Sequence, residues 1–146
     1  MNAAPRTTGE REFLRFLAAG EGETVEFKRC SNGVRDDTFE TVCSFANGAG
    51  GDIFLGVEDG GTVRGLAADA ARKIADDIVR AAANPTLFKP AMALETAPET
   101  EIFRVGRKTL VRVRVAGGGG SGGGSGVAYA YKGVVYKRVG DADLAR

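Results

Sequence analysis

Apolar positions recur along this chain with two different periods, and the switches between them predict a mixture of helices and strands. Residues 8–18 put Phe13, Leu14, Phe16 and Leu17 on one side of a helix, which Gly20 and Gly22 break. Thr24-Val25-Glu26-Phe27-Lys28 then alternates as a short strand. Asp36 or Asp37 can cap a second helix to about Ala46, with Phe39, Val42, Cys43 and Ala46 on one face. Ile53 to Val57 reads as a buried strand, and Glu58-Asp59-Gly60-Gly61 as the turn of a hairpin whose second arm is Thr62 to Leu66. Residues 67–83 form a third helix through Ile74, Ile78 and Ala81, stopped by Asn84-Pro85. Strands near 91–97, 101–105 and 108–115 follow. A hairpin of about 127–131 and 134–139 closes the chain.

Length and composition narrow the class. With 146 residues, 43% apolar and 27% charged, the chain is sized and composed as a single globular domain spanning 1–146. No apolar run approaches the roughly 20 residues that span a bilayer, and MNAAPRTTGERE lacks the apolar core of a signal peptide. No membrane role is expected. Histidine is absent, which removes imidazole catalysis and histidine-based zinc sites; any enzyme chemistry falls to carboxylates, amines or hydroxyls. The two cysteines, Cys30 and Cys43, are too few for a zinc site and fit a reducing, cytoplasmic setting. Cys43, among Phe39, Val42 and Phe45, reads as a small buried hydrophobe. Residues 117–126, GGGGSGGGSG, form a flexible Gly/Ser linker that looks like an engineered loop replacement.

Net charge is +1, but its distribution is lopsided. Residues 1–101 hold 11 basic and 17 acidic side chains, residues 102–146 hold 9 and 2. Such asymmetry points to a polyanionic partner. The strand Lys108–Val115 sharpens this: Thr109, Val111, Val113 and Val115 form a core face, while Lys108, Leu110, Arg112 and Arg114 face the other way as a basic stripe. Lys132, Lys137 and Arg138 extend that stripe from the closing hairpin, and Arg104 lies nearby. With no acid interleaved, the stripe is either a solvated sheet face or a set of phosphate contacts that position without reading sequence. Tyr129, Tyr131 and Tyr136 either pack across the hairpin or stack on bases.

Phe45-Ala46-Asn47-Gly48-Ala49-Gly50-Gly51-Asp52 joins a helix to a strand and is no P-loop. Its glycines serve positive φ at the helix end or allow close backbone approach. Carboxylates gather at Glu21, Glu23 and Glu26, and again at Glu58 and Asp59. Converging carboxylates suit Mg²⁺ or Mn²⁺, but acids at helix starts and turns are common without one.

Taken together, Glu21-Gly-Glu-Thr-Val-Glu26-Phe-Lys28, the run from Glu40 through Phe45-Ala-Asn47-Gly-Ala-Gly-Gly51-Asp-Ile-Phe-Leu-Gly56-Val57-Glu58-Asp59, and Tyr131-Lys-Gly-Val-Val-Tyr136-Lys-Arg138-Val-Gly140 resemble the Schlafen/AlbA-like family of DNA-binding domains. The resemblance implies an α+β fold: a mixed, mostly antiparallel sheet backed by helices in a single domain. It implies nucleic-acid binding, DNA or RNA, in a bacterial transcriptional regulator with no cofactor; the basic residues read from the strand pattern, Arg104, Lys108, Arg112, Arg114, Lys132, Lys137 and Arg138, are then the candidate contacts. Family members that cut RNA imply an alternative, a divalent-metal endoribonuclease. Its acids fall on Glu21, Glu26 and Glu58, with Asp59 beside the last, holding Mg or Mn. Glu58 stands where an aspartate is expected, and a single domain would have to pair as a homodimer to enclose RNA. A third expectation is a protein-interaction domain with no nucleic-acid affinity.

Overall fold

A computed structural model describes residues 7–31, 33–118 and 128–146. The expected linker therefore lies almost wholly outside the described residues. Helix α1 (Thr8–Ala19) starts at Thr7, whose Oγ1 accepts the Glu10 N–H at 3.2 Å. Then come β1 (Val25–Lys28), α2 (Asp36–Ala46), β2 (Gly50–Leu55) and α3 (Ala68–Ala82). The rest is short strand β3 (Phe88–Lys89), a 3₁₀ turn Leu94–Thr96, the long pair β4 (Glu99–Val105) and β5 (Lys108–Ala116), and three short strands. These are β6 (Ala130–Tyr131), β7 (Tyr136–Val139) and β8 (Ala142–Ala145). The class is α+β. The main sheet has order β1-β2-β5-β4, with β1 and β2 parallel and the other neighbours antiparallel; β3 pairs with β6 and β7 with β8. Among the described residues no helix is long and apolar enough to cross a membrane.

Both faces of that sheet are covered. Ile53, Leu55, Val111, Val113 and Val115 pack with Val42 of α2 and Ile74 and Ile78 of α3. Phe27, Phe54, Phe103 and Leu110 pack with Phe13 of α1 on the opposite face. Phe54 is the hub there, with ring centroids 5.2 Å from both Phe13 and Phe16. The pattern-based expectation of one core face on β5 is thus half the outcome: the other face carries Leu110 and Arg112 into a second core under α1.

Several expected strands are placed differently. Residues 91–97 are not a strand: buried Met92 is tied by its N–H to Ala82 O at 2.7 Å, and Leu94 faces solvent at φ 54° in the 3₁₀ turn. Beyond the 58–61 turn the hairpin reduces to one bridge, Val57 to Val63, because the Arg64 and Gly65 N–H groups both turn back to Gly56 O. In the closing segment only Tyr131 and Val134 bridge each other. β6 pairs instead with β3, and β7 with β8, a strand the alternation did not mark.

The glycine turn after α2 serves the backbone. Gly50 has φ 82°, and a Cβ there would stand 2.5 Å from Val115 O. At Gly51 it would stand 2.6 Å from the Phe45 ring. The close neighbours are β5 and α2, with no room for a ligand between them. Asn47, 3% exposed, joins this turn to the C-terminal segment. Its Nδ2 donates to Tyr129 O and Tyr136 O, each at 2.9 Å, and its Oδ1 accepts the Tyr129 N–H at 2.7 Å. Asn47→Ala strands these backbone groups without water and should cost about 3 kcal/mol of unfolding free energy. Urea denaturation with an unchanged midpoint would show that the segment is held elsewhere.

Candidate functional site

Parallel pairing of β1 with β2 sets the chain leaving β2 beside the chain entering β1. Gly56 and Val57 donate their N–H groups to Lys28 O, and the turn is closed by the Glu58 N–H on Thr62 O. Asp59, at the tip of this turn, therefore reaches the carboxylates of β1. Glu21, just past α1, accepts the Phe27 N–H on Oε2 at 3.1 Å, which aims it at the same place. Carboxylate oxygens of Glu21, Glu26 and Asp59 all lie within 4.8 Å of one another. They open onto a cleft of about 450 Å³ whose walls also carry Lys28, Arg29, Arg35, Asp37, Asp141 and Asp143. Glu58 is not in the cluster: its carboxylate is drawn to Arg64 Nε at 2.9 Å, outward from the turn. The third acid of this geometry is Asp59.

Glu26 is the buried member, 6% exposed. Its Oε1 accepts from Arg138 Nη1 at 2.8 Å, and Oε2 lies 3.8 Å from Lys28 Nζ. Burial first, then the hydrogen bond with the Glu21 carboxyl, pushes the Glu26 carboxyl up to about 8, against the pull of Lys28 and Arg138. Arg138 is equally enclosed. It donates to Asp143 at 2.9 Å and to the carbonyls of Gly22 and Val25, with Phe45 under its plane at 4.8 Å. Asp143 in turn accepts from Thr41 and Ser44 of α2.

The basic residues expected to touch nucleic acid are scattered by this fold. Arg112 is buried, donating to Asp52 at 2.8 Å and to Glu12 of α1, above the Phe16 and Phe54 rings. It cannot reach an external phosphate, and neither can Arg138, whose side chain is 2% exposed. The acids that neutralise the β5 stripe come from α1 and β2, distant in sequence, so the strand's own composition hid them. Arg114 is half-exposed near Glu12 and Glu101, at 4.0 and 3.8 Å. Lys132 pairs with Asp36 at 2.9 Å; hydrogen bonds from Tyr131 and then from Lys132 hold that carboxyl below its ordinary value. Lys137 is partly buried and lines a hollow together with Glu23, Asn47 and Gly48. Arg104 and Lys108 are exposed at the β4–β5 end of the sheet, on opposite faces, Lys108 Nζ lying 3.5 Å from Arg64 O. Arg107, which the sequence reading did not single out as a contact, is exposed in the turn between them. The three tyrosines pack: Tyr131 is buried against Phe39 and Phe88, and Tyr129 and Tyr136 lie against the α2–α3 core.

The carboxylate cluster fits a hard divalent cation. Adjacent ligands of octahedral Mg²⁺ stand about 3 Å apart, so the three carboxylates, one of them on exposed Asp59, would draw together around an ion. Such an ion would also oppose the burial and the Glu21 carboxyl that push Glu26 up.

The sequence model of the family described as Schlafen, AlbA_2 matches residues 21–145. Among solved structures, the N-terminal domain of a RecG-related protein from Nitrosomonas europaea is similar to this chain. The likeness has a TM-score of 0.59 at 27% identity, covering 95% of this chain and 93% of that one. The DIP2311 protein from Corynebacterium diphtheriae shares the fold at 19% identity and a TM-score of 0.54; 94% of this chain corresponds to 27% of it.

The raised Glu26 carboxyl has a direct consequence for stability. The folded protein keeps a proton up to about pH 8 that the unfolded chain releases near its ordinary value of 4.5. Its contribution is therefore full below 4.5 and is lost as pH rises through about 8. Urea midpoints should fall over that window, and Glu26→Gln should flatten the fall. Parallel pH profiles for the two proteins would contradict the shift.

Proposed function

We propose that this chain, which belongs to the Schlafen, AlbA_2 family, is a nucleic-acid-binding domain that works as part of a bacterial transcriptional regulator. The observation that carries the reading is the basic end of the sheet. Arg104 and Arg107 are exposed there with no ion-pair partner among the described residues, and exposed Lys108 follows Arg107 on the sheet face opposite Arg104. Cations with no internal acid to satisfy are the ones free to displace counterions from a phosphate backbone. The similarity to a domain of a RecG-related protein, named as an ATP-dependent DNA helicase relative, supports the same class of ligand. The two free cysteines, Cys30 and Cys43, are consistent with a cytoplasmic setting.

A second reading, a metal-dependent endoribonuclease, is favoured by one observation: the convergence of Glu21, Glu26 and Asp59. These three would hold Mg²⁺ or Mn²⁺, which when bound activates water and offsets charge on a phosphodiester. Arg138 would keep Glu26 in place, and the Phe27 N–H would orient Glu21. In this reading the acid beside Glu21 and Glu26 is Asp59, with Glu58 held away by Arg64. Two copies of the domain would together enclose the RNA.

The binding reading is tested by fluorescence anisotropy on labelled duplex DNA and hairpin RNA with EDTA present. Affinity should drop steeply between about 50 and about 200 mM salt. Arg104→Ala with Lys108→Ala should weaken binding alike on all sequences and lower the salt slope by about two. Full affinity in that double variant removes the assignment. For the second reading, manganese-dependent cleavage of hairpin RNA should vanish in Glu26→Gln with its circular dichroism unchanged; activity that persists excludes it.

A further inference from the structure

The side chains of two arginines on the cleft wall make no ion pair among the described residues. Arg29 follows β1 and Arg35 precedes α2; both are exposed and both line the cleft. Neither has an ion-pair partner among the described residues, although acids surround them. The cleft's other cation, Lys28, is 3.3 Å from Asp37 and 3.8 Å from Glu26, and Arg138 beneath it is shared between Glu26 and Asp143. Lys28 and Arg138 thus answer Glu26, Asp37 and Asp143, while Glu21, Asp59 and Asp141 line the cleft without an ion pair among the described residues, and Arg29 and Arg35 stand unpaired beside them.

Their position continues the basic end of the sheet. Arg29 also borders the shallow hollow formed by Glu58, Asp59, Gly60 and Thr62. Across that turn Arg64 grips Glu58, and Lys108 Nζ reaches Arg64 O. From Lys108 the β4–β5 turn leads to Arg107 and Arg104. Arg29, Arg64, Lys108 and Arg107 thus stand at the same end of the sheet, where β1 and β2 finish and β5 begins, with Arg104 on the face opposite Lys108. A compact anion would need only one of these cations. A polymer with a charge at every unit uses several, and guanidinium groups suit phosphate oxygens through paired N–H donors.

We infer that Arg29 and Arg35 are phosphate contacts that lead a nucleic-acid strand from the basic end of the sheet into the carboxylate cleft. The inference rests on the nucleic-acid-binding reading and adds the path the backbone takes.

The test compares the full chain, Arg29→Ala/Arg35→Ala and Arg104→Ala/Arg107→Ala by anisotropy on labelled hairpin RNA and labelled duplex DNA, with EDTA present. Because both arginines are exposed and unpaired, the first double variant should keep the wild-type urea midpoint. It should bind at least about tenfold more weakly at low salt, with a salt slope lower by about two. Loss on RNA alone or DNA alone supports the path and names the polymer it takes. Unchanged affinity and slope in Arg29→Ala/Arg35→Ala, beside a loss in Arg104→Ala/Arg107→Ala, overturns the path and leaves the binding reading standing. An equal loss of binding to labelled polyglutamate marks a general anion surface and overturns the phosphate assignment. A wild-type chain that binds neither nucleic acid removes both.

Discussion

The Arg138 guanidinium is the interaction on which the site depends. It stands on the C-terminal β7–β8 pair, yet its partners are Glu26 and two carbonyls at the start of the sheet, with Asp143 completing the link to α2. Removing the guanidinium's acidic partners would leave it charged and dry, typically at a cost of about 3–5 kcal/mol, so these elements keep one arrangement. Every donor in the group is used, and among the described residues no buried side-chain nitrogen or oxygen lacks a partner. Asn47 provides a second, neutral tie between the same regions. Between them they fix the wall against which Glu26 stands.

The same arrangement explains the unequal halves of the sequence. The acidic first two-thirds and the basic last third meet in space, where Arg112 finds Glu12 and Asp52, Arg138 finds Glu26, and Lys132 finds Asp36. Much of the excess basic charge is thereby spent inside the domain. What is left for a partner is smaller and elsewhere: Arg104, Arg107 and Lys108 at one end of the sheet, and Arg29 and Arg35, which belong to the acidic part of the chain. Charge counted by stretches of sequence therefore locates complementarity within the fold as readily as it locates a binding face.

Much of the candidate site was legible before any coordinates. Glu21, Glu26 and the Glu58-Asp59 turn stand at strand ends, and strand ends are where side chains from different strands can converge. Which acid of the turn joins them was not legible, because that depends on Arg64 taking Glu58. Arg29 and Arg35 gave no signal, since neither lies in a basic run or a periodic pattern. The stripe on β5 misled for a related reason. Period-two alternation says which residues share a face, but not whether that face meets water or a helix.

By itself the sequence determined the three helices, β1, β4 and β5 to within a few residues, the family, and the burial of Cys43. These follow from local propensity, from periodic burial and from motifs that are contiguous in the chain. Only the tertiary structure decided the second core beneath α1, the pairing of β7 with the unmarked β8, and which charges are internal. The second core and the internal charges rest on contacts between residues up to more than a hundred positions apart, where no local pattern can carry the information. The β7–β8 hairpin joins near neighbours, but β8 is largely exposed and has no burial period to mark it.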